Sequence, residues 1–221
     1  MSDRSQALPF DKAPEYLVEI GDDLAGNRLF DPAGFTNNLP GEGLIGGENR
    51  SLKWYREAEI VHGRVAQLAV VGQLFPSWAH FPGNPDIGVP ADAFAQTNPW
   101  TAIETVPEGA IWQIVLVIFG IELVRLKRVI KGDKEPGDLG LGQTGFNPFN
   151  FQYSDEEYFE KQEQEIKHGR LAMFGAIGMM LQTKISGVSI NEQLSGAFDY
   201  PEARSFLEGN GALNDYFPQG L

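Results

Sequence analysis

Glu59-Ile60-Val61-His62-Gly63-Arg64-Val65-Ala66 returns as Glu165-Ile166-Lys167-His168-Gly169-Arg170-Leu171-Ala172, an offset of 106 residues with six of eight identities. Agreement of that quality is far beyond chance, so the chain carries an internal repeat. Each copy leads into an apolar run, Val65–Phe75 in the first and Leu171–Leu181 in the second, and a third run, Ile111–Ile121, lies between them. Each run has 11 residues. A spanning helix needs about 20 apolar residues, so each run alone reads as the buried core helix of a soluble protein. The flanks change that reading. The first run continues upstream through Ser51–Arg64 without a proline. Before the third, Ser154 and Glu157 form a capping box, and Asp155, Glu156 and Glu157 stand at the positive end of the helix dipole. Helices of roughly 25 to 30 residues, about 40 Å long, result. Each has a polar first half and an apolar second half, and the middle one runs from about Pro107 to Ile130. Further upstream, Phe30-Asp31-Pro32-Ala33-Gly34-Phe35 is echoed by Phe146-Asn147-Pro148-Phe149-Asn150-Phe151. A pseudo-twofold pair of crossed helices is the expected arrangement.

Composition alone points elsewhere. The chain has 221 residues, 42% of them hydrophobic, with 17 Lys+Arg against 30 Asp+Glu for a net charge of −13. Its mean hydropathy is slightly negative. These values suit a soluble acidic globule of one or two domains and disfavour nucleic acid as a partner. The absence of cysteine excludes disulfides, thiolate metal sites, iron–sulfur clusters and a cysteine nucleophile. Residues 1–50, rich in Gly, Pro, Asn and Asp, read as an extended irregular segment without a leader-like opening.

Cation placement tests a membrane arrangement independently of hydropathy. If all three helices span, 13 of the 17 Lys and Arg fall on the side of the N-terminus and the second connection. Two, Lys184 and Arg204, fall on the other side, and Arg64 and Arg170 lie within the helices. Such a bias is what the positive-inside rule produces, and a soluble protein has no reason to sort its cations this way. The expected fold is therefore an all-α membrane protein with spans at 51–76, 107–130 and 155–186, forming one domain over 1–221. Residues 1–50 then lie on the stroma- or cytoplasm-like face and 187–221 form a tail on the opposite face. The connection over 76–107, with six prolines and no Lys or Arg, reads as an ordered loop without helix. Ser189–Ala197 is expected to form a short amphipathic interfacial helix.

Glu and His three apart lie about 60° apart around a helix, so both can face one ligand layer. Arg five residues after Glu is about 140° away, out of reach of the Glu of its own helix. A twofold partner resolves this: Arg170 reaches Glu59 while Arg64 reaches Glu165, and the small residues around Gly63 and Gly169 let the helices approach. Three readings of the motif remain. The ion pairs can be purely structural. Two Glu-x-x-His motifs with Glu122 can form a di-iron carboxylate site of an oxidoreductase or iron-storage bundle, although a fourth helix is missing and the arginines compete for the carboxylates. Or a carboxylate neutralised by Arg and an imidazole can each supply one axial ligand to magnesium, the other four positions being filled by a macrocycle.

The doubled E-x-x-H-G-R, the middle-helix Glu122 with Arg125 three residues on, Gly21-Asp22 and F-D-P-A-G-F together resemble the light-harvesting chlorophyll-binding family over nearly the whole chain. The form E-I-K-H-G-R-L-A-M resembles the red-lineage algal branch, with His168 where green-plant members commonly carry Asn. The resemblance implies a non-enzymatic thylakoid antenna in the plastid, N-terminus stromal and C-terminus lumenal. It would bind chlorophyll a, a second chlorophyll such as chlorophyll c, xanthophyll carotenoids and lipid. Photosystem core subunits, photosystem I first among them, neighbouring antenna proteins and thylakoid lipids are the implied partners. It assigns Glu59, His62, Gln113, Glu122, Glu165, His168 and Gln182 as axial chlorophyll ligands, Gln113 being one residue out of the family register. Arg64, Arg170 and Arg125 become their ion-pair partners. Asp31-Pro32 and Asn147-Pro148 become clamps for carotenoid end groups, with Asn147 in place of the usual Asp. Ala197 stands where the family often has a histidine ligand, and His80 matches no family position.

Overall fold

The computed structural model describes residues 4–8, 10–20, 24–35, 50–83, 85, 88–90, 92–131, 135–140 and 146–195. Among them the regular structure is helical: α1 (Glu15–Ile20), α2 (Arg50–Leu74), α3 (Pro99–Thr105), α4 (Glu108–Lys131), α5 (Asp155–Ser186) and α6 (Ile190–Ser195). The three long helices of 25, 24 and 32 residues sit where the repeat and its flanks place them. α5 matches the expected 155–186, whereas the first long helix leaves α geometry at Leu74 and ends in a 3-10 turn over Phe75–Ser77, where Pro76 cannot donate to the ladder. The capping box ahead of α5 forms: Glu157 N–H donates to Ser154 Oγ at 3.3 Å and Ser154 N–H to Glu157 Oε2 at 3.0 Å. α6 lies within the segment Ser189–Ala197 where a short helix is expected.

Two short helices correct the reading of the connections. α3 lies in the segment expected to lack helix. Pro99 stands at its first turn, where a missing N–H costs nothing, and Asn98 Oδ1 caps Trp100 N–H at 3.0 Å. A proline counted as a breaker is here a helix start. α1 lies in the segment expected to be irregular. Pro14 precedes it and accepts from Leu17 and Val18 N–H, Glu15 stands in its first turn, and Leu17 is buried.

The chain divides into two compact units, Met1–Arg64 with Phe119–Leu171, and Val65–Ile118 with Ala172–Leu221. In the first, Ala25, Ile60 and Ile166 form a small core against Phe159. Arg28 ties the N-terminal segment to α5 through Glu163, at 3.3 Å, and to Gln6, at 3.0 Å. In the second, Asn191 of α6 donates to Leu74 O and Ser77 Oγ, at 2.7 and 2.6 Å. Trp100 Nε1 donates to Met180 O at 3.1 Å, and Lys184 lies over the Trp100 ring. α4 is long and apolar enough to cross a membrane, and none of Glu108–Lys127 is buried. It is the one described helix that passes by length and composition; α2 and α5 are diluted by their polar first halves.

Large apolar side chains are exposed on all three long helices. On α5, Leu171 is 72% exposed, Phe174 81% and Ile177 60%. A soluble chain rarely leaves so much contiguous apolar surface in water.

Candidate functional site

The site grows from one close approach. A Cβ built on Gly63 would lie 2.9 Å from Gly169 Cα, so α2 and α5 touch backbone to backbone in the first unit. The charges of the repeat flank this contact. Arg64 Nε donates to Glu165 Oε1 and Arg170 Nε donates to Glu59 Oε1, each at 2.7 Å. Both pairs cross from one helix to the other, as the angular argument requires.

Glu and His do not converge on one ligand layer, as their spacing had allowed. Glu59 and Glu165 turn to the partner helix, while His62 and His168 are exposed. His62 Nδ1 bonds Ala58 O at 2.7 Å and His168 Nδ1 bonds Gln164 O at 2.8 Å. A carbonyl only accepts, so Nδ1 carries the proton in each neutral ring, and Nε2 is left with a lone pair that has no protein partner among the described residues. Among the described residues, no three His, Asp or Glu gather as a metal cluster. Glu59, Glu122 and the histidines are therefore not brought together as a two-iron carboxylate set among the described residues.

Glu122 Oε2 accepts from both Nε and Nη2 of Arg125, at 2.9 and 2.6 Å, which leaves Oε1 without a protein partner among the described residues. Glu165 likewise keeps Oε2. These oxygens and the two Nε2 atoms have no protein partner among the described residues, which fits axial ligation of a bound chlorin magnesium. Gln113 and Gln182 are exposed on α4 and α5 in the second unit, with no part in the charge network. His80 is an exposed loop residue whose Nδ1 lies 3.4 Å from Phe81 O. Ala197 and Gly21-Asp22 lie outside the described residues.

Two residues of the network escaped sequence reasoning. Arg56 Nη1 donates to Glu59 Oε2 at 2.6 Å, a contact that Arg-x-x-Glu spacing on one helix could have signalled. Glu57, buried, accepts from Arg125 Nη1 at 3.1 Å and from Gly137 N–H. Gly137 O accepts from Arg64 Nη1 at 2.8 Å. The loop after α4 is thus gripped at both backbone atoms of one residue, which sits at φ +80° with Ile60 and Arg64 around the space a side chain would need.

The two F-[DN]-P segments form one and the same turn. Asp31 Oδ1 accepts from Phe35 N–H at 2.9 Å and Asn147 Oδ1 from Phe151 N–H at 3.0 Å. The main-chain bonds Gly34 N–H to Asp31 O and Asn150 N–H to Asn147 O close both turns, at 3.1 and 3.2 Å. Pro32 and Pro148 pre-set the backbone at the second position. Asn147 goes further than its acidic counterpart can, since its Nδ2 also donates to Phe151 O at 2.6 Å. The fourth residue is left-handed in both turns, Gly34 at φ 69° and Asn150 at φ 53°. Asn150→Val should cost about 1–2 kcal/mol, because a β-branched residue resists that conformation, and Asn150→Gly should cost almost nothing. Thermal midpoints of the two variants check this.

Residues 13–184 match the model of the family described as Chlorophyll A-B binding protein. A fucoxanthin-chlorophyll a-c binding protein of Chattonella marina var. antiqua is 40% identical over 179 residues, covering 78% of this chain and 72% of the relative. The protein of the same name from Isochrysis galbana is 34% identical, covering 72% and 73%. Chlorophyll a-b binding protein 4 of Arabidopsis thaliana is 28% identical, covering 86% and 72%. With the cross-paired carboxylates and the outward imidazoles, these matches establish that the chain belongs to the chlorophyll a-b binding protein family, the non-enzymatic light-harvesting antennae.

Proposed function

We propose that this antenna protein spans the thylakoid membrane three times and holds chlorophyll a, a second chlorophyll of the c type and xanthophylls for excitation transfer to a photosystem, photosystem I in the first place. The names of its red-lineage relatives support the pigment set. The observation that carries the ligand reading is the pair of exposed histidines with Nδ1 bound to their own helix and Nε2 without a protein partner among the described residues.

On this reading, His62, His168, Glu59, Glu122 and Glu165 give axial ligands in a rigid frame, and Gln113 and Gln182 extend the set along α4 and α5. Arg64, Arg170 and Arg125 remove the net charge that a bare carboxylate would carry into an apolar setting, an isolated charge costing about 2.5 kcal/mol or more at that depth. The turns at Asp31-Pro32 and Asn147-Pro148 present backbone polar groups to carotenoid end rings. Bound chlorin supplies light absorption and excitation transfer; the chain's own residues fix spacing and orientation. The exposed apolar faces of α2, α4 and α5 then meet pigment and lipid instead of water. The swapped ion pairs support a pseudo-twofold axis relating the first and third spans.

Pigment chromatography and metal analysis of the purified protein should find magnesium chlorins and carotenoid without stoichiometric iron. Two irons per chain would replace this reading with the di-iron bundle. Topology has its own test. Protease added to the stromal face of intact thylakoids should clip the N-terminal segment and spare residues 76–107; cleavage in that connection would invert the arrangement. Excitation spectra of isolated photosystem I and photosystem II supercomplexes would decide which one receives the energy.

A further inference from the structure

The repeat is unequal around its two carboxylates. Glu59 accepts from two guanidiniums, Arg170 on Oε1 at 2.7 Å and Arg56 on Oε2 at 2.6 Å. Glu165 accepts, among the described residues, from Arg64 alone. At the repeat offset, the counterpart of Arg56 is the uncharged Gln162. Arg56 is also the more deeply placed cation, its side chain 8% exposed against 37% for Arg170 and 34% for Arg64. Its Nε is buried without a partner, so the bond to Glu59 is the contact that accounts for its burial. Arg56 and Glu59 share one helix three residues apart, so their pairing needs no helix crossing.

We propose that Arg56 is a resident counter-ion for Glu59, which keeps this carboxylate neutralised and fixed without its cross-helix arginine, whereas Glu165 depends wholly on Arg64. The inference rests on the reading of both glutamates as axial chlorophyll ligands. A carboxylate in an apolar setting needs one well-placed cation, and removing a sole partner leaves a bare charge, while removing one of two leaves an ion pair. Glu59 is therefore a neutral donor before the helices cross, and Glu165 becomes one only when Arg64 arrives. Arg56 acts through Glu59 and is a positioning residue.

Reconstitution of the full chain with chlorophyll and carotenoid, read as chlorophylls per chain and as visible circular dichroism, tests this. Arg170→Gln and Arg56→Gln should each lose less chlorophyll than Arg64→Gln, because each leaves Glu59 one cation. Arg64→Gln should lose one chlorophyll, and so should the double variant Arg56→Gln/Arg170→Gln. Arg56→Lys/Arg170→Gln should regain it, because lysine restores the charge without the fork. Equal loss in Arg170→Gln and Arg64→Gln overturns the proposal, even if the double variant fails to fold, and so does an undiminished double variant. Glu59→Ala separates the two levels. If it loses no chlorophyll, the ligand reading itself fails; if it loses one and Arg170→Gln alone does too, only the role of Arg56 fails.

Discussion

Gly63→Ala should unfold the crossing of α2 and α5, although alanine is the better helix former. The methyl group would lie 2.9 Å from Gly169 Cα, against backbone that has no rotamer by which to yield. Overpacking typically costs about 1–3 kcal/mol, and a clash with a second helix's main chain belongs at or beyond the upper end of that range. Replacing a helical glycine by alanine returns only about 1 kcal/mol. The clash therefore wins, and separating the helices would also stretch the two 2.7 Å ion pairs that flank the contact. Gly72 is the internal control, since a Cβ there meets nothing within 4 Å. Gly72→Ala should match or exceed the thermal midpoint of the parent protein, while Gly63→Ala should fall well below it. The midpoint is measured as loss of pigment circular dichroism on heating. Equal midpoints for the two variants would refute the backbone-to-backbone crossing.

That crossing was legible because the repeat imposes an angular constraint. Glu and Arg five residues apart cannot meet on one helix, so a doubled motif leaves cross-pairing as the way to satisfy four charges. Other parts were illegible for equally physical reasons. Glu57 finds its partners in Arg125, 68 residues on, and in Gly137, 80 residues on, and no periodicity within α2 encodes a loop that folds back so far. Arg56 has a local signal in its three-residue spacing to Glu59, but it lies outside the repeated octet, and the symmetry of the repeat does not extend to it. α3 is masked in the sequence by the six prolines of its connection, although an Asn before a Pro also starts helices. The histidines show a subtler limit. Spacing allows each to share a face with a Glu, but the i−4 carbonyl takes Nδ1 of each histidine while each Glu turns to the partner helix, so the two residues do not converge.

Arg64→Leu should be the most damaging single change among the charged residues of the site. Arg64 joins two bonds in one fork, Nε to Glu165 at 2.7 Å and Nη1 to Gly137 O at 2.8 Å. The side chains of the pair are about one third exposed in the bare protein, 34% and 37%. In water such a pair would contribute about 1 kcal/mol or less. In the proposed spanning arrangement pigment and lipid replace the screening water, and an uncompensated Glu165 would cost about 2.5 kcal/mol or more. Orphaning the Gly137 carbonyl adds about 1–3 kcal/mol and loosens the loop that Glu57 grips from its other side. On the proposed ligand reading, reconstituted Arg64→Leu should lose one chlorophyll, the one assigned to Glu165, and show a lowered thermal midpoint. Arg64→Lys should fall between leucine and arginine, because an ammonium supplies the charge but lacks the planar fork that reaches both acceptors. An unchanged pigment count and midpoint in Arg64→Leu would show that the cross-helix pairs neither neutralise a ligand nor fasten the helices. Lysine performing as well as arginine would leave charge as the whole of Arg64's contribution and remove any role for its bond to Gly137.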